Sequence, residues 1–362
     1  MSDSLSELLH PQAMGPLVER YADQSEETSY SDIYDEGDTI EANPDGTFKW
    51  EEIRYSRDMA PIAGQDSPST STKKMIQTPK VGQVFVIQEH SDLPARFLDG
   101  IRAPGAEGAN AAQVVRNHLR NLTGKVMRTK NHWAAQSLLT KTGIVDLSAF
   151  PNSLIASGSL TYPVQTLDAS ANWATVGTKI RSSEINRLKK TYSQKAGFRA
   201  RRCLATSTVE DSITGNTQIS NFINGGSMAG QLLGRSFEER GTADLVKLGG
   251  MDWGFVEDYH ALDSAKDTPV DTTPDATHIA VLPGRERSSQ VFAVAEGVQY
   301  VPTGQMVGDV LGAPGNLIRA VRGLGAYVEL TTAPVGIRLH VFWTGCLVQL
   351  MPNAVMVFDS QG

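Results

Sequence analysis

Between residues 109 and 142 apolar side chains recur at a single helical spacing, and no acid interrupts them. Ala112, Val115, Leu119, Leu122 and Val126 step by three and four, and Trp133 follows one heptad later. The spacing predicts one long amphipathic helix with a single apolar stripe. At about 1.5 Å per residue it extends roughly 50 Å, so any core the chain forms has to be laid along it. The opposite face carries Arg116, Arg120, Lys125, Arg128, Lys130 and Lys141. Gly124 costs about 1 kcal/mol relative to alanine there and allows a bend. The heptads do not persist, which argues against a coiled coil.

The flanks of this helix read differently. Residues 58–107 form an extended, hairpin-like excursion. It has a lead-in at Met59 to Gly64, a polar tip from Asp66 to Lys74, and a return strand at Val84 to Ile87. Strands are expected at Thr161 to Val164 and Trp173 to Gly177, bounded by turn residues. A helix is expected over 182–196, with Ser182 or Ser183 as cap. Cys203 to Thr206, the alternating Trp253, Phe255 and Tyr259, and the run from His278 to Leu282 read as strands. So do Arg338 to Leu350 and Ala354 to Phe358, and 263–277 reads as a polar loop. With 33 glycines and 17 prolines in 362 residues, the chain is α+β and turn-rich, without an internal repeat.

Charge divides the chain. Residues 1–60 hold 15 acids and 4 basic residues, while the remainder holds 25 acids and 29 basic residues. Residues 1–57 are too poor in apolar side chains to fold alone. They are expected to form an acidic arm, with one short helix around Met14, Leu17 and Tyr21, that orders on another surface. Cys203 and Cys346 cannot make a disulfide framework and read as small buried hydrophobes of a reducing compartment. The first sixteen residues lack a basic head and an apolar run, so no secretion signal is expected. No run of about 18 apolar residues predicts a membrane span.

Catalytic and metal signatures are weak throughout. There is no phosphate-binding glycine loop, no HExxH and no CxxC. His118 and His132 share a helix but are too far apart to chelate one ion. Gly225-Gly226-Ser227-Met228-Ala229 is one residue away from a nucleophile elbow and lacks the strand that an elbow needs, so it reads as a turn. Glu257, Asp258 and His260 would alternate faces on a strand and read as a solvated strand end. Asn121-Leu122-Thr123 is a formal glycosylation sequon inside the predicted helix and is discounted. No catalytic residue, cofactor or metal is expected. A soluble serine hydrolase using Ser227 and His260 is the remote alternative.

One charge run is sharper. From 179 to 202 the basic residues are Lys179, Arg181, Arg187, Lys189, Lys190, Lys195, Arg199, Arg201 and Arg202, with Glu184 the single acid. The plain reading is a solvated helix face. Two functional readings are contact with nucleic-acid phosphates and reception of an acidic segment such as the arm of a neighbouring copy. Without interleaved aromatics, any nucleic-acid contact would be independent of sequence.

The order of these parts resembles the Hong Kong 97-type capsid fold, and more closely the lambda-like major capsid protein E family of tailed phages. The resemblance rests on Ala60-Pro61-Ile62-Ala63-Gly64, the polar tip, and the return strand to Asp92-Leu93-Pro94. It continues through Gly249 to Phe255, Pro274-Asp275-Ala276, Leu282-Pro283-Gly284, and Glu329 to Phe358 with Pro352-Asn353-Ala354. It spans about 60–362, and no single motif is diagnostic. Beyond the acidic N-terminal arm (1–57), which is longer and more acidic than the family's pattern, it implies an extended loop (58–107), a spine helix with peripheral domain (108–205), an axial domain (206–325) and peripheral return strands (326–362). Ser69, Thr70, Lys73 and Lys74 would make the loop-tip contacts. The implied role is a major capsid protein self-assembling into hexamers and pentamers around double-stranded DNA. Its implied partners are a scaffolding protein, a portal and a decoration protein. Assembly would take place in the host bacterial cytoplasm and the product would be the virion capsid. An encapsulin-like nanocompartment is the alternative on the same fold.

Overall fold

The computed structural model describes residues 11–23, 29–54, 76–94, 106–150, 153, 155, 158–224, 246–256, 259–260, 270–271, 273–302, 318–332, 335–351 and 353–362. The first elements are α1 (Pro11–Asp23), α2 (Asp32–Asp35), β1 (Asp38–Glu41), β2 (Thr47–Arg54), β3 (Ile76–Gln83), β4 (Phe85–Pro94) and α3 (Ala106–Leu139). Then come β5 (Ile144–Asp146), β6 (Ser159–Thr161), β7 (Gln165–Asp168), α4 (Ile185–Ala196), β8 (Arg202–Ala205), α5 (Ser207–Thr214), α6 (Thr217–Asn224), β9 (Val246–Leu248) and β10 (Met251–Phe255). The last are β11 (Tyr259–His260), β12 (Val270–Asp271), β13 (His278–Leu282), α7 (Ser288–Val291), β14 (Phe292–Glu296), β15 (Val298–Pro302), β16 (Ile318–Thr332), β17 (Val335–Gln349) and β18 (Met356–Asp359).

The long helix α3 has 34 residues, and its whole predicted stripe from Ala112 to Trp133 is buried. It lies along β17 and β4. β17 pairs with β4, β14 and β16, and its alternate residues Ile337, Leu339, Val341 and Trp343 join the helix's core. Trp133 anchors this packing. Its ring meets Trp343 and Phe85 edge-on at 6.1 and 6.0 Å. Its N–H donates to the Tyr162 hydroxyl (2.8 Å), which donates in turn to the Leu347 carbonyl (3.0 Å). Each buried Leu or Val of the stripe contributes about 1.5–3 kcal/mol.

The second sheet has the order β7-β18-β13-β8-β10-β9. Strand alternation makes it the partition between two cores. Leu204, Ala280 and Leu282 belong to the core of α3, while Cys203, Ala205, Ile279 and Val281 belong to a second core under α4, α5 and α6. Burial on both faces explains why His278 to Leu282 reads as an unbroken apolar run. The β9–β10 turn is Gly249-Gly250, both at positive φ (65° and 78°), as a two-residue hairpin of the primed type requires.

Three expectations are corrected. The segment 1–57 does not wait for another surface: its described part is folded onto this chain. Met14, Val18, Tyr30, Ile33, Tyr34 and Phe48 are all buried, and β1 pairs in parallel with β14. A few large side chains supply the burial that average composition hides. Residues 173–177 are turns, not a strand, closed by Thr175 N–H to Asn172 O and Thr178 N–H to Thr175 O. Trp173 is buried against Trp253 and Phe358, while Val176 stays exposed. The division at 205/206 and 325/326 is not where the cores part. Residues from β7 to β8, together with β18, pack in the second sheet with β10 and β13, because that sheet draws its strands from both ends of the region.

Candidate interaction surfaces

The acidic N-terminal segment comes first because it fixes what remains available elsewhere. The Tyr30 hydroxyl donates to the Val256 carbonyl (2.8 Å). The Tyr34 hydroxyl lies 2.7 Å from Ser137 Oγ and receives Gln349 Nε2 at 3.1 Å. Burial pushes this phenol well above its ordinary value. With these rings seated, the segment from α2 through β1 delivers its acids to cations of the same chain. Lys130 Nζ donates to both Asp35 oxygens (2.6 and 2.8 Å). Arg202 Nη1 donates to Glu36 Oε2 at 2.6 Å, and Arg285 Nε is 3.2 Å from Glu36 Oε1. Ser288 Oγ donates to the same carboxylate at 3.0 Å, and Glu41 meets Arg322 at 3.0 Å.

The basic run 179–202 is not one surface. Lys179 and Arg181 are exposed at a π-helical turn, Ile180–Glu184, that precedes α4 where a capped start was expected. Arg187 donates to the Asp168 carbonyl and to Glu184 (3.0 Å). Burial raises the Glu184 carboxyl, but Ser170 and Arg187 outweigh it and hold the group below its ordinary value. Lys189 donates to the Gly249 carbonyl (2.7 Å) and Lys195 to the Thr166 carbonyl (3.1 Å), so α4 is pinned across the sheet from the β9–β10 turn to β7. Arg202 is buried, donating to Glu36, Ser288 Oγ (2.9 Å) and the Pro283 carbonyl (3.1 Å). Lys190, Arg199 and Arg201 are exposed.

The polar face of α3 divides in the same way. Arg120, Lys125 and Arg128 are exposed, while Lys130 is buried against Asp35. Lys141, just past the helix, sits between Asp168 (2.8 Å) and Asp359 (2.7 Å). Beside it His278 Nδ1 is 2.7 Å from the Leu139 carbonyl, and its Nε2 is 3.3 Å from Asp275. Sequence reasoning missed this node, because its five side chains come from three separate strands, a loop and the end of a helix. His118 contacts Ser91 (2.9 Å), and the His132 ring meets Phe150. No cluster of three metal-ligating side chains occurs among the described residues, and no described helix is long and apolar enough to cross a membrane.

β2 and β3 form a sheet of only two strands. Phe48 is buried and stacks on Trp50 (5.2 Å) at its base, and Ile53 N–H donates to the Leu350 carbonyl. From Gln77 to Val81 every side chain of β3 is exposed, Val81 at 66%. A lone two-stranded hairpin is marginal in water. The tip residues Ser69, Thr70, Lys73 and Lys74 lie outside the described residues, as do the Ser227 turn, Glu257 and Asp258.

No model of a known protein family matches the chain, and no curated protein matches it in sequence. Solved structures do match it. The putative capsid protein of a prophage of Escherichia coli CFT073 superposes with a TM-score of 0.51 at 10% identity, over 96% of this chain and 98% of that one. A phage-related protein of Bordetella bronchiseptica RB50 matches with a TM-score of 0.49 at 9% identity, over 96% and 97%. The mature capsid of bacteriophage PhiM1 matches with a TM-score of 0.47 at 10% identity, over 90% and 86%. The likeness to the prophage protein is one of fold, end to end. The fold is the Hong Kong 97-type capsid fold: a long helix on a β-sheet, a projecting hairpin, and a second, mixed sheet covered by helices.

Proposed function

We propose that this chain is the major capsid protein of a tailed bacteriophage, assembling with itself into the hexamers and pentamers of an icosahedral shell that encloses double-stranded DNA. The observation that carries the reading is the whole-length fold shared with a putative prophage capsid protein. The β2–β3 hairpin supports it. A two-stranded ribbon with one strand exposed gains stability when a neighbour covers it, and many weak contacts in a shell act together. On this reading the extended loop is shifted from the expected 58–107 to β2, β3 and the residues between them, because the expected return strand falls in β4, which pairs with β17; Ser69, Thr70, Lys73 and Lys74 would meet the next copy. The core of α3 is the peripheral domain, and the second core with its sheet is the axial domain. The role is structural and not enzymatic. A scaffolding protein, a portal and a decoration protein complete the assembly, which takes place in the bacterial cytoplasm and ends as the virion capsid.

Negative-stain electron microscopy of the purified chain, alone and with a candidate scaffold, tests this. Closed shells or capsomer rings are expected. A monodisperse monomer or dimer under every condition overturns the reading. Shells that capture a protein cargo and no DNA shift it to an encapsulin-like compartment.

A further inference from the structure

The fold breaks up the basic run, and two arginines from elsewhere join those left at the surface. β8 and β13 are antiparallel with Leu282 opposite Arg202, and the Arg201 amide donates to the Leu282 carbonyl at 3.1 Å. The approach to β8 and the exit from β13 therefore lie side by side. The first presents Arg199 and Arg201 and the second Arg285 and Arg287, all four exposed. The Arg287 guanidinium sits 5.3 Å over the Phe198 ring and links the two loops. Arg285 shares Glu36 with buried Arg202, so one carboxylate answers two guanidiniums. Glu286 is the second acid here and is also exposed, which leaves the two loops with a positive surplus.

We propose that this paired-loop surface, formed by Arg199, Arg201, Arg285 and Arg287, is where the chain grips duplex DNA through its phosphates. The proposal rests on the shell reading and names the residues that meet the packaged molecule. Arginine suits the task because its planar fork donates two hydrogen bonds to a phosphate. A single-stranded site needs aromatic faces on which bases stack. Phe198 offers none, since Arg287 covers its ring and Tyr192 meets it edge-on at 5.9 Å. Of the acidic segment, Asp35, Glu36 and Glu41 are already paired inside their own chain with Lys130, Arg202 and Arg322, so these three are not free to reach the same surface of a neighbouring copy. Lys189, Lys195 and Arg187 are half-buried and Arg202 is buried, each held by internal partners, and they contribute little to the grip, whereas Arg285 and Arg287 stay exposed beside Glu36 and Gln290.

A salt titration of binding to a short mixed-sequence DNA duplex tests this on the full chain. R199Q/R201Q/R287Q keeps the Arg285–Glu36 pair, R201Q is the milder variant, and K179Q/K190Q removes two exposed charges elsewhere. At about 0.9 per phosphate contact, the slope of log Kobs against log[salt] becomes shallower by about 2.7 in the triple variant and about 0.9 in R201Q. K179Q/K190Q keeps the wild-type slope, and all four proteins form shells alike. An unchanged slope in the triple variant overturns the proposal, as does an equal loss in K179Q/K190Q or no duplex binding by the wild type at low salt. Normal DNA binding with lost assembly also overturns it, by marking the surface as a protein contact. If the wild type forms no shells, the shell reading falls while the slopes still decide this surface.

Discussion

Glu36→Ala strips the counter-charge from a guanidinium whose side chain is only 5% exposed. Arg202 would then face the Ser288 hydroxyl and the Pro283 carbonyl alone. Breaking a buried ion pair from one side costs about 3–5 kcal/mol. Glu36 itself keeps 27% exposure, so water already screens part of the pair and the loss falls near the lower bound, about 3 kcal/mol. At about 2–4 °C per kcal/mol in larger domains, the melting temperature drops by roughly 6–12 °C. The assay is thermal and urea unfolding of the unassembled full chain at several concentrations. Both partners belong to one chain, so the drop does not change on dilution, whereas a link between copies would vanish. A cycle with Arg202→Ala adds the coupling, expected at about 1–3 kcal/mol. The reasoning is refuted if Glu36→Ala lies within about 0.5 kcal/mol of wild type, if the coupling is zero, or if the loss depends on concentration.

Three other substitutions probe separate parts of the molecule. Trp133→Ala empties the junction of α3, β4 and β17 and costs about 3–5 kcal/mol, while Trp133→Phe mainly removes the hydrogen bond to Tyr162 and costs about 1–3 kcal/mol. Urea midpoints in the reverse order would show that packing is not what Trp133 chiefly supplies. Burial raises the Asp359 carboxyl, but the Lys141 hydrogen bond and the Gln361 amide outweigh it and hold the group below its ordinary value. Its stabilisation is complete above the unfolded value of about 3.9 and is lost as pH falls through the lower folded value. Asp359→Asn therefore lowers stability at neutral pH and flattens the acid limb below about pH 4, and an unaltered limb in a pH series of urea midpoints would count against the node. Val81→Asp, on the exposed strand of the hairpin, leaves unfolding within about 0.5 kcal/mol of wild type yet reduces the yield of shells seen by electron microscopy. Full yield would deny the hairpin a part in assembly.

What the sequence discloses here follows from the range of the interactions. α3 is legible because its stripe repeats within one element, and it is found within three residues of each expected end. β13 is legible because both of its faces are covered. The fate of Arg202 is not: nothing in a run of basic residues separates it from Arg201. The one local hint is that it opens a strand, Arg202 to Ala205, buried at every position. Its partner Glu36 lies 166 residues away. The acidic arm misleads for a related reason. Average composition says that it cannot fold, while Tyr30, Ile33 and Tyr34 concentrate burial in one turn. At 173–177, β-prone Trp, Thr and Val outvote Asn172 and Gly177 on paper, but the hydrogen bonds of two consecutive turns win in the structure.

The order of the strands sets the moment at which this molecule can become itself. β17 joins β4, β14 and β16, and β18 stands between β7 and β13. The first sheet has no middle, and the second cannot take up β7, until residues 335–359 have left the ribosome, so α3 and β4 must wait for the strand they pack on. Such long-range pairing forms slowly, and the waiting chain exposes apolar surface to chaperones and to aggregation. The same delay is a proofreading step. A chain cut short before residue 335 has no centre for its first sheet and no β18 to hold β7 in its second, cannot present a finished surface to its neighbours, and so cannot take a place in a growing lattice and spoil it.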